Sequence, residues 1–201
     1  MEVQNRRVLL LAIFVFMLLI PSFAAATTTV FTAGYDNGDS GAGWGGSAAH
    51  YPEDGQCWIF MNAVGASSEA WAWIGSEISF TSTKSVYMDA VVHLQAYIAM
   101  NIFGSGELRI YLSCIRKSDF HEMWKVKAYS WAAGPSEDQE WSYEQVSDDF
   151  RLGDFPQSTA AGTYYFACEF SFVGQWGALC QYSSTYEHQA ALIVDEISVT
   201  Y

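Results

Sequence analysis

Residues 163–173 read TYYFACEFSFV, and they decide the fold. Tyr164, Phe166, Cys168, Phe170 and Phe172 fall on one parity, and Tyr165, Ala167, Glu169 and Ser171 on the other. A period of two is the mark of a β-strand, whose successive side chains point to opposite faces. Working outward, the same alternation runs from Ser85 to Tyr97, with Val86, Met88, Ala90, Val92, Leu94 and Ala96 as the apolar set, and from Glu107 to Ile115, with Leu108, Ile110, Leu112 and Cys114. Further strands are expected over Val30–Tyr35, Gln56–Met61, Glu69–Phe80, Lys125–Trp131, Trp141–Ser147, Ala178–Ser183 and Ala190–Tyr201, many of them separated by clusters of Gly, Ser, Asn, Asp and Pro. About ten short strands and no convincing helix predict an all-β chain, an antiparallel β-sandwich of jelly-roll-like design. The glycine-rich run Asp36–Ser47 is expected to be a loop.

Arg6 and Arg7, the apolar run Val8–Ile20, Pro21 and the small residues Ala24–Ala26 form a secretory leader, which predicts residues 1–26 as a signal peptide and 27–201 as one exported domain. Thirteen apolar residues rise only ~20 Å as a helix, short of the ~30 Å hydrocarbon core. No later stretch is long and apolar enough to span, so the expectation is a secreted protein with no membrane span after cleavage. The formal net charge of −13 would repel nucleic acid and anionic membranes and favours neutral partners or metal cations.

Cys57, Cys114, Cys168 and Cys180 all follow the leader, so two disulfides are expected in an oxidising compartment, with three connectivities open. A hairpin about Gly174-Gln175-Trp176-Gly177 would set Cys168 opposite Cys180, within bridging range, and leave Cys57 for Cys114.

Eight tryptophans and twelve tyrosines raise the question of which rings face solvent. Ala70, Ala72, Ile74, Ile78 and Phe80 share one parity, so Trp71 and Trp73 point the other way. A second hairpin, about residues 132–140, would set Trp131 opposite Trp141 and Tyr129 opposite Tyr143, a four-ring ladder on one sheet face. Exposed, such rings suit the apolar faces of sugars; covered, they are ordinary sheet packing, and both readings stand. Asp36-Asn37-Gly38-Asp39 is rich in oxygen donors, and Asp195 sits on the core parity of the last strand, where a carboxylate needs partners, a metal such as calcium, or a bulge that turns it out. The four histidines have no metal-ligand spacing, and no nucleophile elbow or converging carboxylate pair is nominated, so a binding protein rather than an enzyme is expected.

The closing strand, Leu192-Ile193-Val194-Asp195-Glu196-Ile197-Ser198-Val199, resembles the final strand of jelly-roll carbohydrate-binding modules, over about eight residues. That resemblance implies a structural calcium with Asp195 as a ligand, joined by Asp36 or Asp39. The function expected is a secreted, non-catalytic domain that binds a glycan or cell-surface polysaccharide through aromatic residues. The rival is a structural subunit of an extracellular filament or surface layer, self-associating by donating Thr27–Phe31 to a neighbour's sheet edge.

Overall fold

A computed structural model describes residues 26–32, 34–146, 156–185 and 188–201; residues 1–25 of the expected leader lie outside the described residues. Among the described residues thirteen strands follow one another: β1 (Thr28–Phe31), β2 (Asn37–Ala42), β3 (Gly46–Tyr51), β4 (Gln56–Ala63), β5 (Ser68–Phe80), β6 (Lys84–Met100), β7 (Ser105–Arg116), β8 (His121–Ala133), β9 (Asp138–Gln145), β10 (Gln157–Thr159), β11 (Gly162–Gln175), β12 (Ala178–Gln181) and β13 (Ala190–Thr200). A 3-10 turn, Pro52–Asp54, lies between β3 and β4. All pairings are antiparallel. The first sheet has eight strands, with β4, β12, β13 and β6 at its centre, β3 and β9 on its flanks, and β1 along β13; the second has five, in the order β2-β5-β11-β7-β8. The chain passes repeatedly from one sheet to the other, the jelly-roll-like sandwich that the alternation predicted.

The predicted core parities hold. Val86 through Ile98 on β6, Leu108 through Cys114 on β7, and Ala70, Ala72, Ile74, Ile78 and Phe80 on β5 meet in one apolar cluster between the sheets. On β11 the other parity is buried too: Tyr165 and Ala167 pack with Trp73 and Ile115 in a second, smaller cluster outside the second sheet.

Three expectations are corrected. The glycine-rich run is two strands, because the missing side chains make room for neighbours: a Cβ at Gly38 would lie 2.6 Å from the Trp73 carbonyl oxygen, and one at Gly41 would lie 2.8 Å from the Trp71 ring. Hydropathy cannot register a strand whose function is to be thin. The hairpin about 174–177 does not form within one sheet, since β11 belongs to the second sheet and β12 to the first. Cys168 therefore lies opposite Ile74 and Leu112, Cys180 lies opposite Met61 and Ile98, and all four cysteines are buried free thiols. Burial pushes these thiols up, Cys114 to about 12, which leaves them inert as nucleophiles. Likewise β8 and β9 sit in different sheets, so the four-ring ladder is absent. Trp131 and Trp141 do meet, with centroids 5.4 Å apart and rings nearly perpendicular, but across the sandwich interior.

The alternation in β13 breaks where the last strand carries its aspartate. Val194 pairs with Val92 and Glu196 with Val91, so Asp195 is an extra, bulged residue. The core set runs Ala190, Leu192, Val194 before the bulge and Ile197, Val199 after it, and the carboxylate is turned outward. The segment β1 lies along β13 of its own chain, Thr28 opposite Thr200 and Phe31 opposite Ile197.

Candidate functional site

On the outer face of the first sheet the interior parity of each strand leaves polar and aromatic side chains facing out. Strand β4 buries Cys57, Ile59 and Met61 and presents Gln56 and Trp58; β6 buries Val92, Leu94 and Ala96 and presents His93 and Gln95. Strands β12 and β13 form a single line between them, Gln181 opposite Tyr97 and Ala191 opposite Gln95. The chain's departure from that line is described at residues 182–185 and 188–189. Its base is closed by the Tyr182 N–H donating to the His188 carbonyl, at 2.8 Å. One side is tied to β9, with Ser184 Oγ donating to Glu140 at 2.9 Å, and the other to β3, with Gln189 Nε2 donating to Ser47 Oγ at 3.0 Å.

Tyr182, His188 and Gln189 wall a cleft of about 490 Å³ lined also by Gln56, Trp58, Gln95 and Tyr143, with Ala191 and Ile193 on its floor. Trp58 is braced from two sides, by Tyr51 with centroids 5.3 Å apart and by His188 at 6.0 Å, and its Nε1–H donates to Gln56 Oε1 at 2.8 Å, which fixes the amide.

Tyr143 is held by a second bulge. Leu94 pairs with Glu144 and Gln95 with Ser142, so Tyr143 is the unpaired residue, and its φ of 62° is left-handed, a conformation that costs a bulky residue ~1–3 kcal/mol. The bulge lays its ring flat on His93, with centroids 4.6 Å apart and planes 9° apart. Asp195 Oδ2 lies 2.7 Å from His93 Nδ1. Two bulges on opposite sides of β6 thus aim Asp195, His93 and Tyr143 into one stack at the cleft. Tyr143 remains 54% exposed, a free ring face on a rigid support.

The other sequence candidates fall elsewhere. Trp141 is buried, and Trp131 and Tyr129, partly buried, pack against the core away from this cleft. Trp71 and Trp73 do point outward, as predicted, on the second sheet. Trp73 is only 5% exposed, tilted against Tyr165, while Trp71 leans on it at the edge of a shallower hollow of about 310 Å³. That hollow also holds Glu69, Glu122, and Glu169, whose two carboxylate oxygens accept from Lys125 Nζ at 2.8 and 2.7 Å. Burial pushes the Glu169 carboxyl up, opposed by the lysine.

The three aspartates proposed for calcium have separate partners. Asp36 Oδ2 accepts from the Glu77 N–H at 2.7 Å, Asp39 Oδ1 from the Ser40 N–H at 2.8 Å, and Asp195 faces His93. Among the described residues no three His, Cys, Asp or Glu side chains form a metal-holding group.

Sequence reasoning included Tyr143 for a reason the structure replaces, and missed Trp58, Tyr182, Gln56, Gln95 and Gln189. The signal for three of these was present: Gln56 and Trp58 on one predicted strand and Gln95 on another alternate with core residues.

No family model and no curated protein matches the sequence. Among solved structures, the chain is similar to the family 11 xylanase from Neocallimastix patriciarum, at 14% identity and a TM-score of 0.35, covering 86% of this chain and 100% of that one. It is similar also to TmCBM27, a carbohydrate-binding module described for specific mannan recognition, at 8% identity and a TM-score of 0.34, covering 88% and 98%. A third is the family 11 carbohydrate-binding module from Clostridium thermocellum in complex with a β-1,3-1,4-mixed-linked tetrasaccharide, at 8% identity and a TM-score of 0.27, covering 90% and 91%. Scores this low assign no family and no residue role.

Proposed function

We propose that this protein is an exported, non-catalytic carbohydrate-binding domain whose site is the cleft on the outer face of the first sheet. The observation that carries the reading is the lining: three rings, those of Trp58, Tyr143 and Tyr182, stand around the side-chain amides of Gln56, Gln95 and Gln189. A pyranose presents an apolar face of C–H groups and an equator of hydroxyls. Aromatic faces take the first, and amides, which both donate and accept, take the second. The described lining is uncharged apart from the titratable His188, which suits a neutral sugar, and its polar groups are amides rather than the paired carboxyls that glycoside hydrolysis uses. The leader over residues 1–26 supports export, and the charge of −13 fits a partner that is not a polyanion.

Titration calorimetry against a panel of neutral oligosaccharides tests the reading. Binding by the wild type, lost in Tyr143→Ala and in Gln95→Ala while both variants still unfold in one cooperative transition, is the expected result. No binding by any neutral glycan would refute it. The filament alternative makes a different demand, assembly through residues 27–31, whereas here that segment pairs within its own chain; light scattering on the purified protein separates a monomer from a ladder of oligomers.

A further inference from the structure

Further along the same strands lies a larger cleft, of about 1080 Å³, with a different chemistry. Its floor is Leu179 on β12 with Ala99 and Met100 on β6, and its walls are Val64, Phe103 and Trp176 on three loops. The walls are preformed. Trp176 N–H donates to the Gly65 carbonyl at 2.8 Å, Gly177 N–H to the Ala63 carbonyl at 2.5 Å, and Asn101 N–H to the Gly177 carbonyl at 3.2 Å, so the three loops are bonded to one another. Phe103 N–H in turn donates to Asn101 Oδ1 at 2.9 Å. Gly177, at a φ of 93°, lies so close under Asn101 that an added Cβ would fall 1.9 Å from that amide nitrogen.

Phe103 is 73% exposed, Val64 64% and Trp176 57%, so large apolar side chains here stand in water. Residues 62–67, 101–106 and 174–179 include no charged side chain, in a chain of net charge −13. Exposed apolar patches of this kind mark binding sites. We infer that this cleft binds the alkyl or acyl chain of an uncharged amphiphile. A sugar is a poor occupant, because the only polar side chains of the lining are Asn62 and Asn101, and the oxygen of Asn101 is already used; hydroxyls buried here would go unpaired. An anionic surface or a second copy of this acidic chain meets a repulsive field. The occupant is an amphiphile rather than a hydrocarbon because Tyr97, two residues from Ala99 on the same outward parity of β6, carries a hydroxyl able to hydrogen-bond a head. The inference stands apart from the carbohydrate reading, and loss of oligosaccharide binding leaves it untouched.

The test is titration of the protein with n-octyl, n-decyl and n-dodecyl ethers of hexaethylene glycol below their micelle concentrations, followed by tryptophan fluorescence and calorimetry. Affinity should rise about 4-fold for each methylene buried, the factor that corresponds to ~0.8 kcal/mol. Leu179→Gln and Phe103→Ser should each weaken binding by about 10-fold or more; Phe103 is exposed enough that its variant tests the site without disturbing the fold. Affinity independent of chain length, binding only above the micelle concentration, or equal binding by wild type and both variants would each overturn the inference.

Discussion

Replacing Tyr143 by glycine and, separately, by alanine should change stability by different amounts and lower binding alike. Tyr143 holds a left-handed φ of 62° and stacks its ring on His93 at 4.6 Å. Alanine removes the stack, about 0.5–1.5 kcal/mol, and keeps the strained backbone, so Tyr143→Ala should be destabilised by that amount. Glycine removes the same stack but also the steric cost of the left-handed conformation, about 1–2 kcal/mol, so Tyr143→Gly should be close to the wild type. The difference between the two variants, about 1 kcal/mol, corresponds to a shift of ~2–4 °C in the melting midpoint for a domain of this size. Urea unfolding with equal slopes in both variants measures it, and calorimetry on the same samples should show the same loss of oligosaccharide affinity in each. Equal stability of the two variants would refute the bulge as a device that aims the ring, and retained affinity in both would refute the ring as a platform.

Trp141→Ala should cost ~3–5 kcal/mol, because the ring fills the space between the sheets against Trp131, whereas Trp71→Ala, at the surface of the second sheet, should stay within ~1 kcal/mol; chemical denaturation of both variants compares them. Gly38→Ala should destabilise by ~1–3 kcal/mol, since the new methyl meets the backbone carbonyl of Trp73 as well as the His50 ring, and an unchanged denaturation midpoint would contradict the close approach of β2 to β5. For Glu169, burial raises the folded pKa above the ordinary 4.5, so the folded state binds more protons and stability falls as pH rises from about 4.5 through the folded value. Glu169→Gln should flatten that falling limb in a pH series of urea midpoints, and an unaltered slope would show that this carboxyl titrates alike in both states.

The core was legible because burial leaves a period of two wherever a strand has one wet face. It was legible on β6 and β7 down to the residue, and even the irregularity at Asp195 announced itself as a carboxylate on an apolar parity, which the bulge resolves. The sheet assignment was not legible. A strand, a Gly-containing turn and another strand read as a hairpin, yet at both 134–137 and 174–177 the chain crosses the sandwich, and nothing local distinguishes a corner from a hairpin. That difference put Trp131 against Trp141 for the wrong reason and dissolved the Cys168 to Cys180 pairing. The cleft escaped for a related cause. Its members come from β4, β6, β9, β13 and the residues Tyr182, His188 and Gln189, and only the neighbourhood of strands distant in sequence brings Trp58, Gln95 and Tyr143 to one place. Tyr143 owes its position to a backbone conformation that no hydropathy pattern encodes.

The central claim is that neutral carbohydrate binds at the outer face of the first sheet. Following the Trp58 Nε1–H and the side-chain amides of Gln56, Gln95 and Gln189 by nuclear magnetic resonance, during titration with the best oligosaccharide of the panel, tests it most directly. The account predicts saturable shifts confined to these groups, with the Trp71 and Trp73 indoles unmoved. Shifts at Trp71 and Trp73 with a silent first-sheet cleft would place the ligand on the other sheet and contradict it.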